Sequence, residues 1–542
     1  MFICSSHHAI SVLSLVLLLT GASHAQTTDR INVDSGGVQA NSYSYNPSIS
    51  SNGGFVAFDS MATNLVLGDS NGVTDIFIHE STTGLTEILT LNTAGVPGNG
   101  HSTNPSISSN GRYIAFHSEA NDLVVADTNI WKDVFVHDRL TGITERVSVS
   151  SFGAEGNGDS VNAAISADGR FVAFESIANS LVASDSNGAW DIFVHDRNTG
   201  STERVSIGAA GEANGNSFSP TISSNGHHVA FSTEADNLVA GDLNGRGDIC
   251  VRDRNTGITE LVSVDSFGAQ GDHHSAFPSI SADGSVVAFE SWASNLVSGD
   301  SNSTNDIFVR DRTNGITNRV SVDSFGSEAS SSNEAPSISA DGLHVAYLSY
   351  ASNLVQVDTN SLADIFVHNR ATSTTQRVSV SSLGAQSNGV TYFSSITDDG
   401  SQVAFYSWAQ SLVPGDTNQT YDIFVHDRWN GLGENSIYLD GPFTAPVGVP
   451  LALDWFQAPS SSSYWLVYSL NQNGLTAFGH QFDIGAPYTV LATGFHGASG
   501  SGSYSTAPIP LGAAGHMINF EVAASGAGGM LYDSNVVAVI FF

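Results

Sequence analysis

Between about Asn46 and Gly431 the hydrophobic and polar positions recur with a period of 57 or 58 residues, seven times over. The third copy shows the pattern. Ala163-Ala164-Ile165-Ser166 is a short apolar run, and Ala167-Asp168-Gly169 is a turn. Arg170 to Ser176 then alternates Val172 and Phe174 against Ala173. A polar stretch, Asn179 to Trp190, leads to Asp191-Ile192-Phe193-Val194-His195. Asn198-Thr199-Gly200 turns the chain again, into Thr202 to Ile207. Period-two alternation bounded by Asn, Asp and Gly predicts four strands in an antiparallel meander. Asp-Gly or Asn-Gly marks the first turn in every copy, from Asn52-Gly53 to Asp399-Gly400. That pair supplies the positive φ a tight hairpin requires. An Ile in x-S-I-S or a close variant marks the first strand: Ile49, Ile107, Ile165, Ile222, Ile280, Ile338 and Ile396.

The second and third strands carry apolar residues on both faces, so each small sheet must be covered on both sides. Repeated four-stranded sheets of this kind stack radially, which predicts an all-β, seven-bladed propeller. The seventh copy lacks its fourth strand after Asn430-Gly431. The nearest equivalent is Asp29-Arg30-Ile31-Asn32-Val33 at the other end of the chain, so the N-terminal strand is expected to complete the last blade and remove both free edges.

Charge narrows the partners. Seventeen basic residues face 52 acidic ones, a formal charge of −35. Nucleic acid and anionic membrane surfaces are therefore excluded, since both need basic patches. The apolar run Ala9 to Leu19 is too short to span a bilayer. It is followed by Ala22-Ser23-His24-Ala25, and residues 1–25 read as a secretory signal peptide without Lys or Arg before the run. The expected destination is periplasmic, cell-surface or extracellular, with no membrane insertion. Cys250 is then the only cysteine left, in a column that the other copies fill with Phe, and a buried apolar role is expected for it.

The runs Pro278-Ser279-Ile280-Ser281-Ala282-Asp283-Gly284, Val287-Ala288-Phe289 and Asp306-Ile307-Phe308-Val309-Arg310-Asp311-Arg312 resemble the TolB-like, WD-related propeller repeats of exported bacterial proteins. The resemblance covers all seven copies and implies the fold. It does not imply one activity, because that family includes translocation partners, binding subunits and the propeller halves of peptidases. TolB itself resembles a six-bladed propeller behind an N-terminal α/β domain, and this chain departs from both features.

In such a meander the loop between the second and third strands and the connection into the first strand emerge on one face, and the tight hairpins on the other. The longer-loop face is the expected functional face. There every copy carries D-x-N-x-x-x-D. Asp69, Asn71 and Asp75; Asp185, Asn187 and Asp191; Asp300, Asn302 and Asp306; Asp358, Asn360 and Asp364; and Asp416, Asn418 and Asp422 are candidate ligands for a hard cation such as Ca²⁺. The copies at Asp127, Asn129, Asp133 and at Asp242, Asn244, Asp248 hold Lys132 and Arg246 and suit a cation least. Local Asx turns explain the same residues without a metal. No organic cofactor is expected.

A second column, His79, His137, His195, Arg252, Arg310, His368 and His426, mixes His with Arg, which cannot ligate, and reads as polar packing at the blade edge. In S-x-A after the second strand, the middle residue becomes Trp292, Tyr350 and Trp408 in three consecutive copies. These are candidate contacts for a protein or glycan, with wedge packing as the alternative. H-E-x-x-H and phosphate-loop patterns are absent. Residues 26–436 are therefore assigned to the propeller and 437–542 to a C-terminal β-sandwich. The expected role is non-catalytic binding or scaffolding, with a secreted carbohydrate-active or other hydrolytic enzyme as the rival.

Overall fold

The computed structural model describes residues 26–428, together with strands in the flanking segments, and among the described residues all regular structure is β. Two compact units are distinguished, Gln26–Gly431 and the combined flanks Met1–Ala25 and Leu432–Phe542. The larger unit holds seven four-stranded antiparallel sheets. Blade 1 consists of Ser44–Ile49, Phe55–Ser60, Asp75–Glu80 and Leu85–Ile88. Blade 3 consists of Ser160–Ile165, Phe171–Ser176, Asp191–Asp196 and Ser201–Arg204; blade 2 spans residues 102–146, blade 4 217–261, blade 5 275–319, blade 6 333–377 and blade 7 391–427. The fourth strand is shorter than the sequence suggests, because after Arg204 the chain folds back through a small hairpin, Ile207–Gly208 with Gly211–Glu212.

Closure is direct. Thr27–Arg30 pairs antiparallel with Asp422–Asp427, matching Thr27 with Asp427 and Arg30 with Phe424, and so supplies the outer strand of blade 7. Each of the seven hydrophobic clusters draws on two neighbouring blades. Ala57, Ile76 and Ile78 of blade 1 meet Ile114, Phe116 and Phe135 of blade 2. Ala404, Ile423 and Val425 of blade 7 meet Val56, Phe58 and Phe77 of blade 1 across the closure. Apolar alternation on both faces of the middle strands is thus spent on the two neighbours of every blade. Cys250 lies in one of these clusters, buried in the Phe column as expected, and burial pushes its thiol pKa up.

The repeated motifs acquire specific jobs. The Ser before the marker Ile reaches the next blade: Ser48 Oγ accepts from Ile107 N at 3.2 Å, and Ser395 Oγ from Ile49 N at 3.2 Å, the latter across the closure. The Ser after it caps the hairpin, as where Ser166 Oγ accepts from Phe171 N at 2.9 Å. The turn glycine is fixed twice over. Gly169 has φ of +75°, and a Cβ there would lie 2.1 Å from the ring of Tyr113 on the preceding blade.

In the second unit Val16–Leu18 pairs antiparallel with His516–Ala523, and the strands after residue 431 are Leu451–Asp454, Trp465–Asn471, Gly474–Ala477, His480–Asp483, Pro487–Val490, His516–Ala523 and Asn535–Phe541. They agree with the β character read from the sequence. The layer packing that a sandwich requires, and the signal-peptide reading of residues 1–25, lie outside the described residues.

Candidate functional site

The seven D-x-N-x-x-x-D loops adopt one construction. The second Asp opens the third strand and is buried. In blade 3, Asp191 Oδ1 accepts from Ser206 Oγ at 2.5 Å, and Oδ2 accepts from Asn187 Nδ2 at 2.8 Å. Asn187 Nδ2 also donates to Ala213 O at 3.0 Å, tying the loop to the connection into the next blade. The Asn side-chain oxygen, which a calcium ion would need, already accepts from Ala189 N at 2.9 Å within its own turn. Asn71, Asn302, Asn360 and Asn418 likewise donate to Asp75, Asp306, Asp364 and Asp422.

The space between the two carboxylates is filled from the outer strand. Arg204 Nη1 lies 3.2 Å from Asp185, 3.3 Å from Asp191 and 3.1 Å from Glu212. Arg319 stands in the same way among Asp300, Asp306 and Glu328, and Arg146 among Asp127, Asp133 and Glu155. Arg377 serves Asp358 and Asp364, and Arg30 serves Asp416 and Asp422. In blade 4 the outer strand offers Leu261, and Gln270 Nε2 bridges Asp242 at 2.7 Å and Asp248 at 2.9 Å instead. Blade 1 has neither device. Ile88 stands where five other blades have Arg, Pro97 aligns with Glu155, and Asp69 Oδ1 is buried without a hydrogen-bond partner. Burial raises the Asp185, Asp300 and Asp75 carboxyls to about 6, and the neighbouring carboxylate in each loop adds to the shift. The cation set by the fold in five blades is thus a guanidinium. Its signal was the Arg of T-x-R-V.

The His column is polar packing at the blade edge. His195 Nδ1 lies 2.9 Å from Thr202 Oγ1, and that hydroxyl donates to Val149 O of the preceding turn at 2.5 Å. Since the single hydroxyl proton goes to the carbonyl, Nδ1 must carry the proton and donate. Arg252 and Arg310 replace His because they also only donate: Arg252 Nη1 reaches Thr259 Oγ1 at 3.0 Å and Arg310 Nη1 reaches Thr317 Oγ1 at 3.1 Å. Burial keeps these imidazoles neutral, holding His368 down at about 4.

A column that sequence reasoning passed over lies on the second strand: Asp59, His117, Glu175 and Glu290. Asp59 Oδ2 accepts from Asn104 N at 3.0 Å and from Asn46 Nδ2 at 2.9 Å. Glu175 accepts from Ser219 N, and Glu290 from Ala335 N. Asn104 and Ser219 carry positive φ at a bulge of the inner strand, so each acid braces the strained backbone of the next blade. Its only sequence signal was polar residues in an otherwise apolar strand.

Trp292, Tyr350 and Trp408 are 51%, 44% and 40% exposed. The structure does not gather them into one group. Trp408 packs on Tyr421 at 5.0 Å between ring centroids and Trp292 on His273 at 6.3 Å. The loops that present them are knitted together, for example after Trp292 by Ser294 N donating to Asp272 Oδ1 and Asp272 N to Asn295 Oδ1.

No family model matches the chain, and no curated protein does. Among solved structures, TolB from Acinetobacter baumannii is similar at 18% identity and TM-score 0.33, over 55% of this chain and 57% of that one. An oligogalacturonate lyase in complex with manganese is similar at 14% identity and TM-score 0.45, over 77% and 96%. Pyrococcus horikoshii acylaminoacyl peptidase is similar at 11% identity and TM-score 0.42, over 79% and 57%. The chain therefore spans little more than half the length of that TolB. Likenesses this distant carry no argument about activity or ligand. The strand topology itself shows the fold: a seven-bladed β-propeller with four strands in each blade.

Two outcomes follow from the buried charges. Replacing Arg204 by Met leaves three carboxylates without their counter-ion and should cost about 3 kcal/mol in urea unfolding, as breaking a buried ion pair does. Burial raises the Asp59 pKa to about 6, above its unfolded value, so the stability it contributes is full below about pH 4 and is lost as pH rises through 6. Between pH 4 and pH 8 the stability of Asp59→Asn relative to the parent should therefore rise by about 3 kcal/mol, whereas a pH-independent difference would contradict the assignment.

Proposed function

We propose that this chain is an exported, non-catalytic binding or scaffold propeller that recognises a protein or glycan on its longer-loop face. One observation carries the reading. The polar groups shared by the blades are engaged in holding the wheel together, whereas the side chains that differ between blades, Trp292, Tyr350 and Trp408, stand exposed. The rival enzyme reading needs blade-unique acids and bases facing substrate. Asp59, Glu175 and Glu290 are such residues, but each is hydrogen-bonded to backbone of the neighbouring blade. Replacing Trp292, Tyr350 and Trp408 together by Ala should abolish retention of the ligand in a pull-down while leaving the melting midpoint unchanged. Undiminished retention would point away from this face.

Calcium enters the proposal at blade 1 alone, where Asp69 and Asp75 lack both the guanidinium of five blades and the bridging Gln270 of blade 4, and Asp69 Oδ1 has no donor. Added Ca²⁺ should raise the melting midpoint of the parent, a chelator should reverse it, and Ile88→Arg should make the chain indifferent to both. A parent whose midpoint ignores Ca²⁺ would remove the ion from the account.

A further inference from the structure

The rings peculiar to single blades gather where the wheel closes. Tyr43 and Tyr45 belong to the start of the inner strand of blade 1, and Tyr392, Tyr406, Trp408 and Tyr421 come from blade 7. Trp408 meets Tyr421 at 5.0 Å between centroids and 87° between planes, Tyr45 meets Tyr406 at 5.4 Å and 87°, and Tyr43 meets Trp408 at 6.2 Å. Tyr45 and Tyr406 each also lie within 5.6 Å of Tyr421. Rings this close touch one another and leave no hollow for an ion, so the cluster is a platform rather than a cage.

The fold does not require it. The positions of Tyr43, Tyr45, Tyr406, Trp408 and Tyr421 are held in blade 2 by His101, Thr103, His117, Glu119 and Lys132, and that blade has the same four strands and register. Nor is the cluster closed off from water, since Tyr43 and Trp408 are both exposed. Burial and then the neighbouring phenols of Tyr421, Tyr392 and Tyr45, together with Asp59, push the Tyr406 phenol upward, which places four phenols and one carboxyl close together.

Exposed π faces beside converging phenol hydroxyls, with no Lys or Arg in the cluster, match a ligand whose rings offer C–H faces and hydroxyl edges. A chain of formal charge −35 repels polyanions. Resting on the binding reading above, we propose that the seam between blades 7 and 1 is the recognition site of the longer-loop face and that it takes an uncharged polysaccharide.

The test is affinity electrophoresis of the full chain through gels containing a panel of neutral polysaccharides (β-1,3-glucan, β-1,4-glucan, xylan and mannan) or the polyanion alginate. At least one neutral polymer should retard the chain and alginate should not. Tyr421→Ala and Trp408→Ala should each weaken retardation at least tenfold at an unchanged melting midpoint. Tyr421→Phe, which keeps the ring and loses the hydroxyl, should fall between them and the parent. Phe267→Ala, on an exposed turn of the outer edge, should behave as the parent. The proposal is overturned if no neutral polymer retards the chain, if alginate retards it equally, or if Tyr421→Ala runs as the parent. Sugar binding that survives the seam variants but is lost on replacing Trp292 and Tyr350 would overturn the seam while leaving the face reading intact.

Discussion

Everything in the larger unit depends on the pairing of Thr27–Arg30 with Asp422–Asp427. A blade with apolar side chains on both faces cannot stand alone, and each hydrophobic cluster belongs to two blades at once. The cluster between blades 7 and 1 exists only because the two ends of the repeat array meet there. The same short strand brings Arg30 between Asp416 and Asp422, places Thr28 against His426, and covers the open edge of Asp422–Asp427. Backbone pairing and ion pairing are therefore closed by one segment of four residues, and Ile31 directly after it enters the core cluster at the closure.

The second constraint is electrostatic. The chain is strongly acidic, yet it buries a carboxylate at the start of every third strand. An uncompensated buried charge is costly, and the fold answers with hydroxyl or amide donors to each carboxylate and, in five blades, a guanidinium from the outer strand. The same logic explains why His and Arg interchange in the neighbouring column, because the Thr hydroxyl there needs only a donor.

The fold was legible in the sequence because the repeat writes each strand seven times, and because the missing fourth strand of the last copy has a counterpart near Arg30. The loops were legible as turns but not as ion pairs. The Asp residues and the Arg of T-x-R-V stand on different strands, 13 residues apart for Asp191 and Arg204, and only the strand register shows that they meet. The aromatic seam was least legible. Reading down one column finds Trp292, Tyr350 and Trp408, whereas the rings that touch Trp408 come from other columns, and one of them, Tyr43, lies at the far end of the array. Asp59 and Glu175 were hidden for another reason: a polar residue in an apolar strand gives no hint that it braces the bulge of the next blade.

The wheel is thus held by what its blades share, and its chemistry rests on what they do not. Both halves of that statement rely on the seam, which is at once the closure and, among the described residues, the place where aromatic side chains gather in number. Hydrogen exchange of the full chain, read by peptide, tests the closure most directly. Amides of Asp422–Asp427 should exchange as slowly as those of Asp191–Asp196, with the Thr27–Arg30 peptide protected to match. Fast exchange in both segments, as of an open edge, would contradict the account.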